Sequence, residues 1–149
     1  MATIRLPPDF NEFLTLLNQH GVEYLMIGGY AVNLYGYVRA TGDMDVFISL
    51  SPENAARLVA AFHDFGLTSM TADLVQPGKV LRMGVPPLRL EVLNQISGVT
   101  FEEAHAEREQ MEVDGLTIPV ISLRHLRQNK AASGRPKDLG DLSELPPES

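Results

Sequence analysis

Apolar residues recur along this chain with two different periods, and the switches between them predict the order of elements. Phe10, Phe13, Leu14 and Leu17 fall three and four residues apart, the spacing of one helix face. Residues 9–20 are therefore predicted as helix, with Asp9 and Glu12 as a capping box and Gly21 as the stop. Tyr24 to Ile27 is a short apolar run, predicted as a strand. It leads into Gly28-Gly29 and a short helix from Tyr30 to Tyr35 that Gly36 closes. From Met44 through Val46 and Ile48 to Leu50 every second residue is apolar, the mark of a strand with one buried face. Ser51-Pro52-Glu53 starts a helix with Ala55, Leu58, Val59 and Phe62 on its inner stripe and Gly66 at its end. Residues 67–76 read as a short strand or loop. Lys79–Met83 and Leu88–Leu93 read as strands joined by Gly84-Val85-Pro86-Pro87. Thr100 and Glu103 cap a helix over 101–106, Asp114-Gly115 turns a hairpin within 110–120, and Ser122 opens a helix that runs to Gly134. Strands alternating with helices predict an α/β fold, a mixed β-sheet with helices packed on one face. A single domain is expected over residues 1–145, with a frayed tail at 146–149.

The polar positions carry the candidate chemistry. Asp43 and Asp45 alternate with Met44 and Val46, so both carboxylates lie on the strand face opposite the buried one. At a rise of about 3.3 Å per residue their Cα atoms are roughly 6.5 to 7 Å apart, close enough for both to turn toward one or two divalent cations. On the Leu88–Leu93 strand Leu90 and Val92 face one side and Arg89, Glu91 and Leu93 the other, so Glu91 is a carboxylate flanked by Leu and Val. If that strand neighbours the Asp strand, Glu91 completes a three-carboxylate cluster. Three such groups repel one another unless a cation neutralises them. The glycine pair ahead of a helix lets a ligand approach the backbone and aims N–H groups at it, an arrangement that suits phosphate. The bland alternatives are a tight strand-to-helix turn at the glycines, a loop cap at the aspartates and a solvent-facing Glu91. His63 is read as structural.

Gly28-Gly29-Tyr30-Ala31 followed by Thr41-Gly42-Asp43-Met44-Asp45 resembles the signature of the polymerase-beta-type nucleotidyltransferase superfamily. The similarity is to its small bacterial members, the minimal nucleotidyltransferases and the abortive-infection toxin-like group. It extends through Asp141, with Arg135-Pro136-Lys137-Asp138-Leu139 resembling a segment near the end of the latter group. Two positions depart from the family pattern. Gly28-Gly29 stands where many relatives have Gly-Ser, and Glu91 where the third carboxylate is more often Asp. The resemblance implies a minimal nucleotidyltransferase fold and transfer of a nucleoside monophosphate from an NTP to a hydroxyl, with Mg²⁺ or Mn²⁺ and release of pyrophosphate. The acceptor is left open between protein, RNA and small molecule. Asp43, Asp45 and Glu91 would be the catalytic and metal-binding residues, with Glu91 also taking the hydroxyl proton. Gly28, Gly29, Arg39, Thr41 and Lys130 would contact the nucleotide. The rival expectation is a non-catalytic nucleotide-binding module, or one half of a toxin-antitoxin-like pair.

Composition narrows the partners. The net charge of −7 over 149 residues argues against bulk DNA binding, which rests on clustered Lys and Arg. Five of the twelve basic residues nevertheless fall between Arg124 and Lys137, a local patch suited to a small polyanion. Lys130 shares a helix face with Arg127, and a solvated helix face is the plain reading of that pair. Cysteine is absent, which excludes disulfides and thiolate metal sites. No run approaches the ~18 apolar residues of a membrane span, so a cytoplasmic protein is expected. Longer relatives add a helical domain, so acceptor recognition is expected to draw on a protein partner or a second copy.

Overall fold

The structure is a computed structural model that describes residues 5–38, 40–85 and 88–147. Six strands form one mixed sheet in the order β3-β4-β2-β1-β6-β5, with β1 at Tyr24–Ile27, β2 at Asp43–Ile48, β3 at Leu81–Val85, β4 at Leu88–Leu93, β5 at Glu109–Val113 and β6 at Leu116–Val120. Among the described residues six α-helices accompany them: α1 at Pro8–Gln19, α2 at Gly28–Leu34, α3 at Pro52–Asp64, α4 at Phe101–Ala106, α5 at Leu123–Ser133 and α6 at Pro136–Glu144. This is the expected α/β architecture.

The continuous apolar run of β1 has a simple cause. It lies between β2 and β6, and all four of its residues are buried, as a central strand requires. On β2 the residues Met44, Val46 and Ile48 enter the core together with Phe10, Phe13, Leu14 and Leu17 of α1 and Leu58, Ala61 and Phe62 of α3. Phe13 stacks on Phe62 with ring centroids 5.7 Å apart. The opposite face of β2 carries Asp43, Asp45 and Phe47, and Phe47 meets Phe101 of α4 edge-on at 5.2 Å. Apolar packing therefore anchors one end of that face and leaves the aspartates at the other. Asn54, fully buried at the start of α3, donates to the carbonyls of Glu23 and Ser49 and accepts from the Glu23 N–H.

Several elements differ from expectation. The Asp9–Glu12 capping box does not form: Pro7 is the N-cap, makes no side-chain cap bond, and Pro8 opens α1 one residue early. Helix α2 begins at Gly28 itself, so the glycines form its first turn rather than a loop before it. The Asp strand ends at Ile48, and β3 starts at Leu81 rather than at Lys79. Residues 67–76 hold a single 3₁₀ turn at Ala72–Leu74 and no strand. The largest difference is α6, which the apolar pattern does not predict. Gly134 ends α5 in the left-handed region (φ 67°), and Pro136 starts α6 directly afterwards.

That helix rules out the solvated face, the plain alternative to a phosphate contact for Arg127 and Lys130. Arg127 donates to the carbonyls of Leu142, Leu145 and Pro146 at 3.2 to 3.4 Å. Lys130 is only 5% exposed and its Nζ lies 3.0 Å from Asp138 Oδ1 and 3.1 Å from Asp141 Oδ2, both on α6. A buried ammonium is tolerated because these carboxylates compensate its lost hydration.

Candidate active site

Strands β2 and β4 run parallel in a register that places Asp43 beside Arg89 and Asp45 beside Glu91. Antiparallel pairing of β3 with β4 then sets Arg82 beside Glu91. One face of the sheet thus carries a row Asp45, Glu91, Arg82 across three strands, and next to it the pair Asp43, Arg89. Neighbouring strands stand about 4.8 Å apart, so the three carboxylates are forced together by backbone pairing alone.

Asp45 bears most of the cost. Burial pushes its carboxyl up to about 6, and the charges of Glu91 and then Asp43 add to the rise, against weaker opposition from Lys130 and Lys137. Its Oδ1 is buried without a hydrogen-bond partner among the described residues. Its Oδ2 crowds the backbone at Gly28, where an added Cβ would lie 2.3 Å away. Gly28 also has a φ of +67°. That position needs glycine on two counts, the left-handed conformation and the missing side chain.

Arginines hold the other two carboxylates. Arg89 Nη2 donates to Asp43 Oδ2 at 3.4 Å, and Arg89 Nε lies 3.5 Å from Glu91 Oε1 without a formed hydrogen bond. Arg82 Nε donates to the same Glu91 oxygen at 3.3 Å. With these side chains so turned, no three carboxylate or imidazole groups among the described residues could hold one ion. The donor set nevertheless fits a hard divalent cation. It supplies oxygen ligands, a surplus of carboxylates over arginines on one face, and a buried Asp45 oxygen without a partner among the described residues.

A cavity of about 1110 Å³ opens over this face. Gly28, Gly29, Thr41, Asp43, Asp45, Glu91 and Lys130 all border it, so the structure brings together every sequence-predicted site residue except Arg39, which lies outside the described residues. Thr41 donates its hydroxyl to the Asp43 carbonyl at 3.3 Å. Ser133, Arg135, Lys137 and Asp138, from the end of α5 and the start of α6, line the same cavity. Burial raises Asp138, but hydrogen bonds from Ser133, Arg135 and Lys130 outweigh it and hold the carboxyl down at about 2. The sequence reading missed Arg82, Arg89, Asp138 and Asp141 as parts of this constellation. The available signal was the Arg89-x-Glu91 alternation, which puts both side chains on one strand face.

The sequence matches the family described as "Nucleotidyl transferase of unknown function (DUF2204)" over residues 8–147. The chain belongs to this family. No curated protein matches it. Among solved structures, a proposed nucleotidyltransferase of Thermotoga maritima (TM1012) superposes with a TM-score of 0.64 at 16% identity, over 91% of this chain and 88% of that one. The lincosamide antibiotic adenylyltransferase LnuA, bound to lincomycin, gives 0.56 at 14% identity over 95% and 96% of the two chains. ANT(2'')-Ia with adenylyl-2''-tobramycin gives 0.53 at 14% identity over 90% and 83%. At such identities the likeness is one of fold, and it assigns the six-stranded sheet with its helices to the nucleotidyltransferase architecture.

Proposed function

We propose that this nucleotidyltransferase-family chain transfers a nucleoside monophosphate from an NTP to a hydroxyl group and releases pyrophosphate. The observation that carries the proposal is Asp45, whose buried Oδ1 has no hydrogen-bond partner among the described residues and whose carboxylate is flanked by Glu91 and Asp43 on the cavity that Gly28 and Gly29 also line. Such a group is costly as it stands and is explained by a cation that arrives with substrate.

Asp45 and Asp43 are the residues proposed to hold Mg²⁺ or Mn²⁺, with Glu91 completing the set. When bound, the metal supplies Lewis-acid neutralisation of the triphosphate oxygens and lowers the pKa of an attacking hydroxyl. The residues of the chain supply position and proton transfer. Backbone N–H groups at Gly28 and Gly29, in the first turn of α2, face the phosphates in place of the absent serine hydroxyl. Thr41 borders the same space. Lys137 and Arg135 line the same cavity and receive the far phosphates, while Lys130 contributes its field from within its pair of aspartates. Glu91 accepts the proton of the acceptor hydroxyl. The new bond joins that oxygen to the α-phosphorus, and the bond to the bridging oxygen breaks, so pyrophosphate leaves with its electron pair.

The rival reading, nucleotide binding without turnover, accounts for the glycines but leaves the Asp45–Glu91 juxtaposition without a purpose. Incubating the protein and Mg²⁺ with α-labelled and γ-labelled NTPs and a cell lysate tests the proposal. Label passing to an acceptor from the α position and not from the γ position supports nucleotidyl transfer. Label passing only from γ would make the reaction phosphoryl transfer, and no label from any NTP would favour the rival.

A further inference from the structure

Arg89 is an unusual neighbour for a metal site. It springs from the same strand as Glu91, faces the same way, and lies in register beside Asp43. Its side chain is about one-third exposed, yet its Nε is buried and forms no hydrogen bond among the described residues. The guanidinium spans the two outer carboxylates, 3.4 Å from Asp43 Oδ2 and 3.5 Å from Glu91 Oε1. Both separations exceed the 2.7 to 2.9 Å of strong charge-assisted hydrogen bonds. The contact therefore neutralises charge without fixing geometry. Arg82 differs in kind. Its side chain is 58% exposed, and Glu91 is the carboxylate it contacts.

We propose that Arg89 is a built-in counter-ion that occupies the carboxylates until metal and nucleotide arrive together. This inference rests on the metal-dependent reading above. A divalent cation entering alone must push a positive guanidinium away from Asp43 and Glu91 and leave it unpaired beside a second positive charge. A cation entering with an NTP brings a polyanion that gives the displaced guanidinium a new partner, for which arginine's planar fork is suited. The consequence is positive coupling: metal binds weakly to the free protein and strongly to the nucleotide-loaded one.

Mn²⁺ binding, read from the electron paramagnetic resonance signal of the free ion with and without a non-hydrolysable NTP analogue, tests this directly. Without nucleotide, Arg89→Gln is expected to bind Mn²⁺ about tenfold more tightly than the wild type, the order expected for removing one positive charge some 5 Å from a divalent ion in a solvated cleft. With the analogue present the advantage disappears or reverses, because the phosphate has lost its arginine. Arg82→Gln is the comparison, with a change of about threefold or less. Should Arg89→Gln fail to fold, Arg89→Lys takes its place. Its compact ammonium cannot span both carboxylates, and a tightening of Mn²⁺ binding of about twofold or more is expected. Unchanged or weaker Mn²⁺ binding in the folded variant would overturn the proposal and make Arg89 a support for the ligands. If neither wild type nor variant bound Mn²⁺ under either condition, the metal-dependent reading would fall, and this inference with it.

Discussion

Gly28 and Asp45 are built around one another: the Asp45 carboxylate fills the space that a side chain on residue 28 would take, with only 2.3 Å between Oδ2 and the position of a Cβ. A real Cβ does not tolerate that separation, so Gly28→Ala must move either the strand-to-helix junction or the carboxylate. The left-handed φ of 67° adds roughly 1 kcal/mol or more of strain for a non-glycine residue. Thermal unfolding is expected to show a loss of about 1 to 3 kcal/mol, together with weaker Mn²⁺ binding measured separately. A variant with unchanged stability and metal affinity would show that the junction has slack.

Asp45 itself is expected to destabilise the metal-free protein. Its carboxyl rises from 3.8 to about 6 on folding. Between about pH 4 and pH 6 the unfolded chain has lost a proton that the folded chain retains, so this group lowers stability progressively across that window and by a constant amount above it. Asp45→Asn should therefore raise the metal-free melting temperature at pH 7.5, with a gain of about 1 to 3 kcal/mol. The gain should shrink toward zero near pH 4. A variant less stable than wild type at neutral pH would mean that the carboxylate has a partner in the free protein.

Lys130, Asp138 and Asp141 form a buried ion cluster that joins α5 to α6. Removing the ammonium leaves two carboxylates facing each other out of water, so Lys130→Met should cost about 3 to 5 kcal/mol in chemical denaturation. A loss of nucleotide affinity with full stability would instead identify Lys130 as a direct phosphate contact.

The same cluster makes an acid-side prediction of opposite sign to that of Asp45. The Asp138 carboxyl is held down at about 2, so its contribution is complete above about pH 4 and is lost as the pH falls toward 2. The size is about 2 kcal/mol. In Asp138→Asn the fall in stability over that window should be shallower than in the wild type.

Much of this site was legible in the sequence because it depends on short periods. The two-residue spacing of Asp43 and Asp45 fixed their common face, and the lone carboxylate in Leu88–Leu93 marked Glu91. What the spacing did not contain was the register between β2 and β4, a non-local pairing that sets Asp45 opposite Glu91 and Asp43 opposite Arg89. Arg82 and Arg89 passed as ordinary strand residues for that reason. Lys130 was read as a phosphate contact or a solvated face, and its buried ion pairs were missed because its partners lie on α6, whose apolar positions are too few to show a helical stripe. Pro136 followed by Asp138 was a helix-start signal that the weak stripe obscured. The Asp9–Glu12 box failed for a local reason: Pro7-Pro8 already fixes the chain entering α1.

The central claim is that Asp45 and Glu91 perform metal-dependent nucleotidyl transfer, and one comparison tests it most directly. Wild type, Asp45→Asn and Glu91→Gln, each shown to be folded, are incubated with α-labelled NTP, Mg²⁺ and the acceptor-containing lysate, and label transfer is followed with time. The account predicts transfer by the wild type that stops on chelation of the metal, loss of transfer in Asp45→Asn, and a fall of about 10² to 10⁴ in Glu91→Gln. Equal transfer by the wild type and Asp45→Asn would contradict it.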